Sequence, residues 1–294
     1  MSISLLEKMI GMKEIKILIA ILAGFITSTA FAERFTVEVG QFEKLKINGN
    51  LRVVYKNLSD STGYARYEAP AESGDLFKFT NKNEGNLKVE PSDENWGQTD
   101  LPILYLYSDF LTSLESYSEQ SVEVTSLSPC ASFNVTQVGN GSIWVENIKT
   151  NNVTAAITTG NGSIYLTGSC INANYRMVGA GLISADQLSA ENVKCRILGT
   201  GSIGCWPIDN LKVTGLGSTK IYYKGKPNIK KTGGGKLFEL PEEMDEDAYA
   251  RLGTPVTSFN EPAKVSEDDD EEETEEGEYE EEDDDYQTIV TEDD

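Results

Sequence analysis

A short glycine motif recurs along this chain at nearly constant spacing. The pentapeptide Gly-Asn-Gly-Ser-Ile occurs at 139–143 and at 160–164, a degenerate copy precedes it at Ser118–Val122, and further related copies follow. A period of about twenty residues is typical of stacked structural units. The paired turn glycines are Gly139 and Gly141, Gly160 and Gly162, Gly179 and Gly181, Gly199 and Gly201, Gly215 and Gly217, and Gly233 and Gly235.

Apolar and polar residues alternate on both sides of each glycine turn. Phe133 and Val135 precede the first turn, and Ile143 and Val145 follow it. Side chains of a strand point alternately to opposite faces, so these residues are expected to line one interior. Glycine lets the chain bend sharply and lets stacked backbones approach closely. The pattern predicts an all-β solenoid with rungs of about 20 residues.

Residues 1–32 have the features of a secretory signal peptide. Positive charge at Lys13–Lys16 precedes an apolar run at Ile17–Ile26, and small residues at Ala30 and Ala32 precede Glu33. We expect cleavage between Ala32 and Glu33, an extracytoplasmic location (periplasm or cell surface) and no membrane span in the mature chain. An uncleaved N-terminal anchor is the alternative.

The rest of the chain divides by composition. Short alternating strands such as Leu51–Tyr55 predict a β region over 33–117 that is continuous with the repeat array at 118–238. Residues 239–265 are expected to form a linker with a short helix around 243–252. The N-terminal strands and the 239–252 segment either cap the ends of the solenoid, or the chain self-associates into a homo-oligomer.

Residues 266–294 form an acidic tail. Nineteen acidic residues and no Lys or Arg lie between Glu267 and Asp294, and they supply −19 of the formal net charge of −23, which leaves −4 for the rest of the chain. Such a run is expected to be disordered. A nearly neutral body with an acidic tail argues against nucleic acid as a partner. The tail could instead attract cations or bind a basic partner.

The chain has no histidine and four cysteines. Without imidazole there is no Ser-His or Cys-His nucleophile pair, and no two cysteines form a CxxC pair, so we expect no cofactor and no metal. Cys195 and Cys205 lie symmetrically about Thr200 at interior positions. They are expected to form either a disulfide or two buried thiols. Cys130 and Cys170 lie two repeats apart, too far for a bond.

Two functional alternatives involve the repeat region. The glycine turns lack the following helix that a phosphate-binding loop requires. Some parallel β-helices cleave acidic polysaccharides with carboxylates and basic residues. The candidates for such chemistry here are Asp186, Glu191, Lys194 and Arg196. Asp186 and Glu191 are expected in loops or at outward strand positions, which favours a chain that is not an enzyme.

Four features of the sequence occur together: FEKLKINGNLRVVY (42–55), the repeated glycine turns, GLISADQLSAENVKC (181–195) and GSTKIYYKGKPNIKKTGGGK (217–236). This combination resembles the head GIN domain family of auto-transporter adhesins, which are exported proteins of Bacteroidetes-like bacteria. The resemblance covers about 35–238 and implies a right-handed parallel β-helix-like solenoid. It brings no catalytic residues.

We therefore expect an exported, non-enzymatic β-solenoid that acts as an adhesion, binding or structural module of the cell envelope. Its partner would be an envelope protein or a glycan. The alternatives are a carboxylate-dependent polysaccharide-cleaving enzyme, or a scaffold that displays the acidic tail to a basic partner or to cations.

Overall fold

The computed structural model describes residues 32–82 and 85–241. The expected signal peptide apart from Ala32, the linker beyond residue 241 and the acidic tail lie outside these residues. The described part is built almost entirely of strands, with single 3-10 turns at Ser59–Ser61, Ala71–Ser73 and Asp93–Asn95.

The strands are numbered in chain order. They are β1 (Ala32–Glu38), β2 (Lys44–Ile47), β3 (Val53–Lys56), β4 (Tyr64–Pro70), β5 (Phe77–Lys82), β6 (Asn86–Pro91), β7 (Leu104–Tyr107), β8 (Ser113–Ser116), β9 (Ser121–Val124), β10 (Cys130–Val138), β11 (Ser142–Thr159), β12 (Ser163–Met177), β13 (Leu182–Ile197), β14 (Ser202–Gly215), β15 (Lys220–Tyr223), β16 (Asn228–Gly233) and β17 (Lys236–Glu239).

Parallel pairing stacks these strands into two faces of a solenoid. The first face runs through β6, β2, β8, β10, the C-terminal halves of β11 to β14, and β16. The second face runs through β7, β3, β9, the N-terminal parts of β11 to β14, β15 and β17. The predicted β-solenoid, with its repeating rung as the structural unit, is confirmed.

The glycine copies stack in register. Ile143 pairs with Ile164, Ile164 with Ile183 and Ile183 with Ile203, and all four side chains are fully buried. The degenerate first copy belongs to the same column, because Val122 pairs with Ile143. These isoleucines form part of one continuous apolar interior, which is the shared core that a stacked architecture requires.

The last two copies are aligned differently from the sequence expectation. Gly215 pairs with Ile197, and Gly217 packs against Gly199, so the register is shifted along the chain relative to a simple match of glycine pairs. The second-face strands of the last three rungs pair Ser202 with Lys220 and Lys220 with Lys236. On this face the spacing is 18 residues for the first of these pairs and 16 for the second, so the final rung is the shorter one. The glycine copies at 199, 215 and 233 predicted the reverse order, 16 and then 18. The irregular register between β13 and β14, at the corner between the faces, shortens the spacing of paired residues from 20 at Leu182 and Ser202 to 18 at Asn192 and Asn210.

At most of the turns, both glycines are required by stacking. A Cβ atom on Gly181 would lie 2.0 Å from the carbonyl oxygen of Gly162, although the φ angle of Gly181 is an ordinary one. Gly139 differs, since its φ of 103° suits glycine and nothing lies within 4 Å of its added Cβ. Close backbone approach therefore requires glycine at both motif positions in most turns, as at Gly179 and Gly199, whereas Gly139 serves backbone bending alone.

An asparagine ladder lies beside the interior, and sequence analysis did not detect it. The side-chain amide of Asn172 donates to Asn152 Oδ1 at 3.2 Å, that of Asn192 to Asn172 Oδ1 at 3.2 Å, and that of Asn210 to Asn192 Oδ1 at 2.8 Å. Each middle amide both donates and accepts, so one rung satisfies the polar groups of the next.

Antiparallel strands cover the N-terminal end of the solenoid. β5 pairs with the outer edge of β6, β4 pairs with β7, and β1 pairs with β4. Covering exposed strand edges removes a template for pairing with other chains. The N-terminal strands thus cap this end of the solenoid, as one of the two alternatives expected. Residues 242–252, which were expected to cap the other end, lie outside the described residues.

We expect Gly181→Ala to lower the free energy of unfolding by about 3 kcal/mol, because the methyl group would overlap the Gly162 carbonyl oxygen. Gly139→Ala is the control and should cost about 1 kcal/mol, since it meets backbone strain but no clash. Urea unfolding of both variants measures the difference. Equal midpoints for the two would contradict the stacking role.

Asn172→Ala should cost about 1–2 kcal/mol, because it removes two ladder hydrogen bonds and leaves the amide of Asn192 without its acceptor. Asn174→Ala is a matched control, as Asn174 is an exposed residue on the same strand outside the ladder. Chemical unfolding curves compare the two variants. A loss at Asn174 as large as that at Asn172 would show that the ladder adds nothing.

Candidate ligand-binding groove

The described residues contain a groove of about 470 Å³ near the capped end of the solenoid. A volume of this size lies within the range of small-molecule binding sites. The walls combine two arginines, three tyrosines, a carboxylate and two apolar residues, namely Arg34, Arg66, Tyr67, Glu68, Pro102, Ile103, Tyr105 and Tyr107.

Antiparallel pairing brings these residues together from distant parts of the sequence. Arg34 of β1 lies opposite Glu68 of β4, and Arg66 of β4 lies opposite Tyr105 of β7. Cross-strand partners of this kind have neighbouring side chains on one face. The capping strands thus supply the basic wall of the groove, and the outermost parallel rung supplies the aromatic wall.

The two arginines differ in their partners. Arg34 donates to Glu68 Oε1 from Nη2 at 2.9 Å, an exposed ion pair that offsets its charge. The guanidinium of Arg66 lies 5.1 Å from the centroid of the Tyr107 ring, and no carboxylate of a described residue is within ion-pair distance of it. Stacking on the ring holds the guanidinium in place while its N–H groups stay available. Within the described chain, Arg66 is therefore the groove arginine whose charge is not offset.

A row of residues continues from the groove along the second face. Tyr105 pairs with Val54, Val54 with Glu123, and Glu123 with Trp144. Trp144 pairs in turn with Tyr165, and their rings stack with centroids 3.8 Å apart and an interplanar angle of 12°. Aromatic faces in a line beside polar groups form a surface on which flat or ring-shaped ligands can rest.

The carboxylate in this row is partly removed from water. Burial raises the pKa of Glu123, and the nearby negative charge of Glu146 adds to the effect, while Arg52 and Lys56 oppose it. Lys56 also lies with Nζ 5.6 Å from the centroid of the Tyr105 ring. The row therefore combines charged and aromatic groups over several rungs.

Asp186 is separated from the other three candidate catalytic residues. Lys194 and Arg196 lie at outward positions of the first face, and Glu191 is exposed at the start of the same strand segment. Asp186 lies on the preceding, second-face side of the corner in β13. Catalysis by a carboxylate and a base requires mutual reach, which buried Asp186 does not have with Lys194 or Arg196 on the first face.

The expectation for Asp186 was wrong, because this residue is neither in a loop nor outward. Only 1% of it is exposed, and Ser184 Oγ donates to its Oδ1 at 2.8 Å. The irregular register between Ala185 and Ser189 turns the side chain inward at the corner, where the alternation of a regular strand no longer applies.

The structure places Cys195 and Cys205 side by side in the interior, both as buried free thiols. The pKa of the Cys205 thiol is raised well above its usual range by a hydrogen bond with Cys195 and by burial. Cys130 and Cys170 each pair with Thr150 from opposite sides, so they lie two rungs apart. Within 32–82 and 85–241, no group of three or more acidic or cysteine residues is placed to hold a metal ion.

Comparison with known proteins identifies the family. The family model described as "Putative auto-transporter adhesin, head GIN domain" matches residues 41–227. The chain belongs to this family. No curated protein matches it. In the described part of this family member, no helix is long and apolar enough to cross a bilayer.

Solved structures with the same fold come from Bacteroides and Parabacteroides species. A putative adhesin from Bacteroides fragilis has a TM-score of 0.64 and 19% identity, over 71% of this chain and 97% of that one. A putative lipid binding protein from Parabacteroides distasonis has a TM-score of 0.57 and 18% identity, over 72% and 98%. A putative adhesin from Parabacteroides merdae has a TM-score of 0.55 and 18% identity, over the same shares. At these identities the likeness shows the fold of this head GIN domain.

Sequence analysis missed the groove because its residues lie outside the repeated units. Arg34, Arg66 and Tyr105 lie in short strands of different spacing, and antiparallel pairing between separate parts of the chain joins them. The one signal in the sequence is the alternation of tyrosine with apolar residues, as in Ile103–Tyr107.

The thiols offer a test of burial in this head GIN domain. A raised pKa keeps Cys205 in the neutral, unreactive form under mildly alkaline conditions, and the same burial shields Cys195. We expect iodoacetamide to modify the partly exposed Cys130 first and the buried pair only after unfolding. Mass spectrometry of the native and denatured chain measures this order. Failure of the denatured pair to react without reductant would instead identify the disulfide alternative.

Proposed function

We propose that this chain is an exported, non-enzymatic binding module of the cell envelope, and that the groove at Arg66 binds an acidic glycan. The observation that carries the proposal is the guanidinium of Arg66, which rests on the Tyr107 ring without a carboxylate partner among the described residues. A planar guanidinium in a partly enclosed groove is suited to bidentate recognition of a carboxylate or sulfate.

The neighbouring aromatic row favours a sugar chain over a small free anion. Tyr105 lies in the groove wall, and the row continues through Glu123 to the stacked rings of Trp144 and Tyr165. Aromatic faces accommodate the apolar faces of sugar rings, while tyrosine hydroxyls and the Glu123 carboxyl can exchange hydrogen bonds with sugar hydroxyls. An extended ligand could contact several rungs at once.

Export is supported by the signal-peptide pattern that ends at Ala32, and by the adhesin descriptions of the family and of its solved relatives. The non-enzymatic role is supported by the separation of Asp186 on the second face from Lys194 and Arg196 on the first face. A ligand held at Arg66 would meet none of these groups.

The test is a glycan array of uronic-acid and sulfated oligosaccharides with their neutral counterparts, probed with the chain from Glu33 to Asp294. We expect retention on acidic sugars and not on neutral ones, and about a tenfold weaker affinity for Arg66→Ala, since a charge-assisted hydrogen bond contributes about 1.5–3 kcal/mol.

Lys226→Ala is the control for the loss of one surface charge, because Lys226 is exposed and lies outside the groove and the aromatic row, so retention should be unchanged. Unfolding curves of both variants establish that the fold is kept. Retention of no acidic glycan, or equal affinity of Arg66→Ala and the parent chain, would overturn the proposal.

A further inference from the structure

The first face carries two rows of positive charge. Lys194 pairs with Lys212 and Lys212 with Lys230, while Arg176 pairs with Arg196 in the adjacent row. Neighbouring members of a row lie about one strand spacing apart, ~4.8 Å. Like charges directly opposite each other in a sheet are destabilising. The repulsion within each row therefore lowers the stability of the fold.

No described carboxylate is paired with these charges. None of the five basic residues forms an ion pair within 32–82 or 85–241, and the other outward residues of the segments 152–156, 172–176, 192–196, 210–214 and 228–232 are Asn, Thr and Ala. Glu191 and Asp209 are exposed on the same strands but precede these segments. The concentration of charge is notable because the chain as a whole carries −23. At physiological salt the field of an exposed charge falls off within about 8 Å, so these rows act locally despite that total.

A third row on this side is apolar and exposed. Leu198 and Leu216 directly follow the paired residues Ile197 and Gly215, so the two leucines also lie one strand spacing apart. Their exposed fractions are 59% and 74%. Arg196 precedes Leu198 by two residues, which places the leucines beside the basic rows.

We infer that this surface, made of Arg176, Lys194, Arg196, Lys212, Lys230 and the two leucines, binds an anionic lipid bilayer at its interface. The basic rows contact lipid headgroup phosphates, and Leu198 and Leu216 enter the boundary between headgroups and acyl chains. Peripheral membrane surfaces combine these two elements, an apolar tip and basic residues around it.

The exposed leucines favour a membrane over a soluble polyanion as the partner of this surface. A hydrated polyanion such as a sulfated polysaccharide would neutralise the lysines and arginines but leave Leu198 and Leu216 in water. Burial of the two side chains in a bilayer removes apolar surface from water and adds to the electrostatic attraction. The outward positions of the basic rows also carry no aromatic side chain on which nucleic-acid bases could stack.

This surface lies on the first face, whereas the Arg66 groove lies on the second, so the two can be tested independently. The experiment is co-sedimentation of the chain from Glu33 to Asp294 with phosphatidylcholine vesicles, with and without phosphatidylglycerol. Starting at Glu33 removes the apolar run at Ile17–Ile26, which would itself bind vesicles. We expect binding only with the anionic lipid, and weaker binding as salt is raised to about 0.15 M.

Two double variants separate the contributions. Lys194→Gln with Lys212→Gln should weaken partitioning about 25-fold, at about fivefold for each basic residue. Leu198→Ser with Leu216→Ser should weaken it more than about tenfold while leaving the charge unchanged. Both pairs are surface substitutions, and unfolding curves verify that the variants fold.

Matched controls come from other surfaces. Lys149→Gln with Lys226→Gln removes two exposed charges elsewhere, and Ile171→Ser with Ile208→Ser removes two apolar side chains that are 40% and 49% exposed. These controls and Arg66→Ala should bind vesicles like the parent chain. Equal binding to neutral and anionic vesicles, full binding by the leucine variant, or binding to dextran sulfate without vesicle binding would each overturn the inference.

Discussion

Close approach between successive backbones at the glycine turns is the constraint on which this solenoid depends. At Gly181 and Gly201 the space of a Cβ is occupied by a carbonyl oxygen of the preceding rung, 2.0 Å away in each case. Because no larger residue fits, the turns can maintain the same spacing as the strands on either side. The isoleucine column inside and the asparagine ladder beside it both rely on that common spacing.

A uniform stack also fixes where surface chemistry can accumulate. Each outward position becomes a row, so substitutions in successive rungs build a line of charge or of aromatic rings at strand spacing. The first face has lysines, arginines and leucines in its C-terminal rungs, and the second has arginine and tyrosine near the capped end. Both surfaces are thus produced by the same repetition that forms the core.

The sequence predicted the parts of the fold that repeat and missed those that do not. The period alone places Ile143, Ile164, Ile183 and Ile203 in one interior column. The asparagines of the ladder recur at the same period, but a recurring asparagine is equally typical of a turn. The groove could not be predicted from the sequence, because Arg66 and Tyr105 are brought together by antiparallel pairing that residue spacing does not indicate. The alignment of the last turns was predicted wrongly, because Gly215 and Gly217 are equally good sequence matches to Gly199.

The order of the first rungs has a consequence for how the chain must assemble. The rung of β2 and β3 lies between the rung of β6 and β7 and that of β8 and β9, so its neighbours come later in the sequence on both sides. Leu51, for example, exchanges hydrogen bonds with Ser118, far along the chain. β2 and β3 therefore lack one of their two neighbouring rungs until the chain as far as Val124 is available for folding. From β10 onward each rung finds its template already formed, which makes growth of the remainder local and directional.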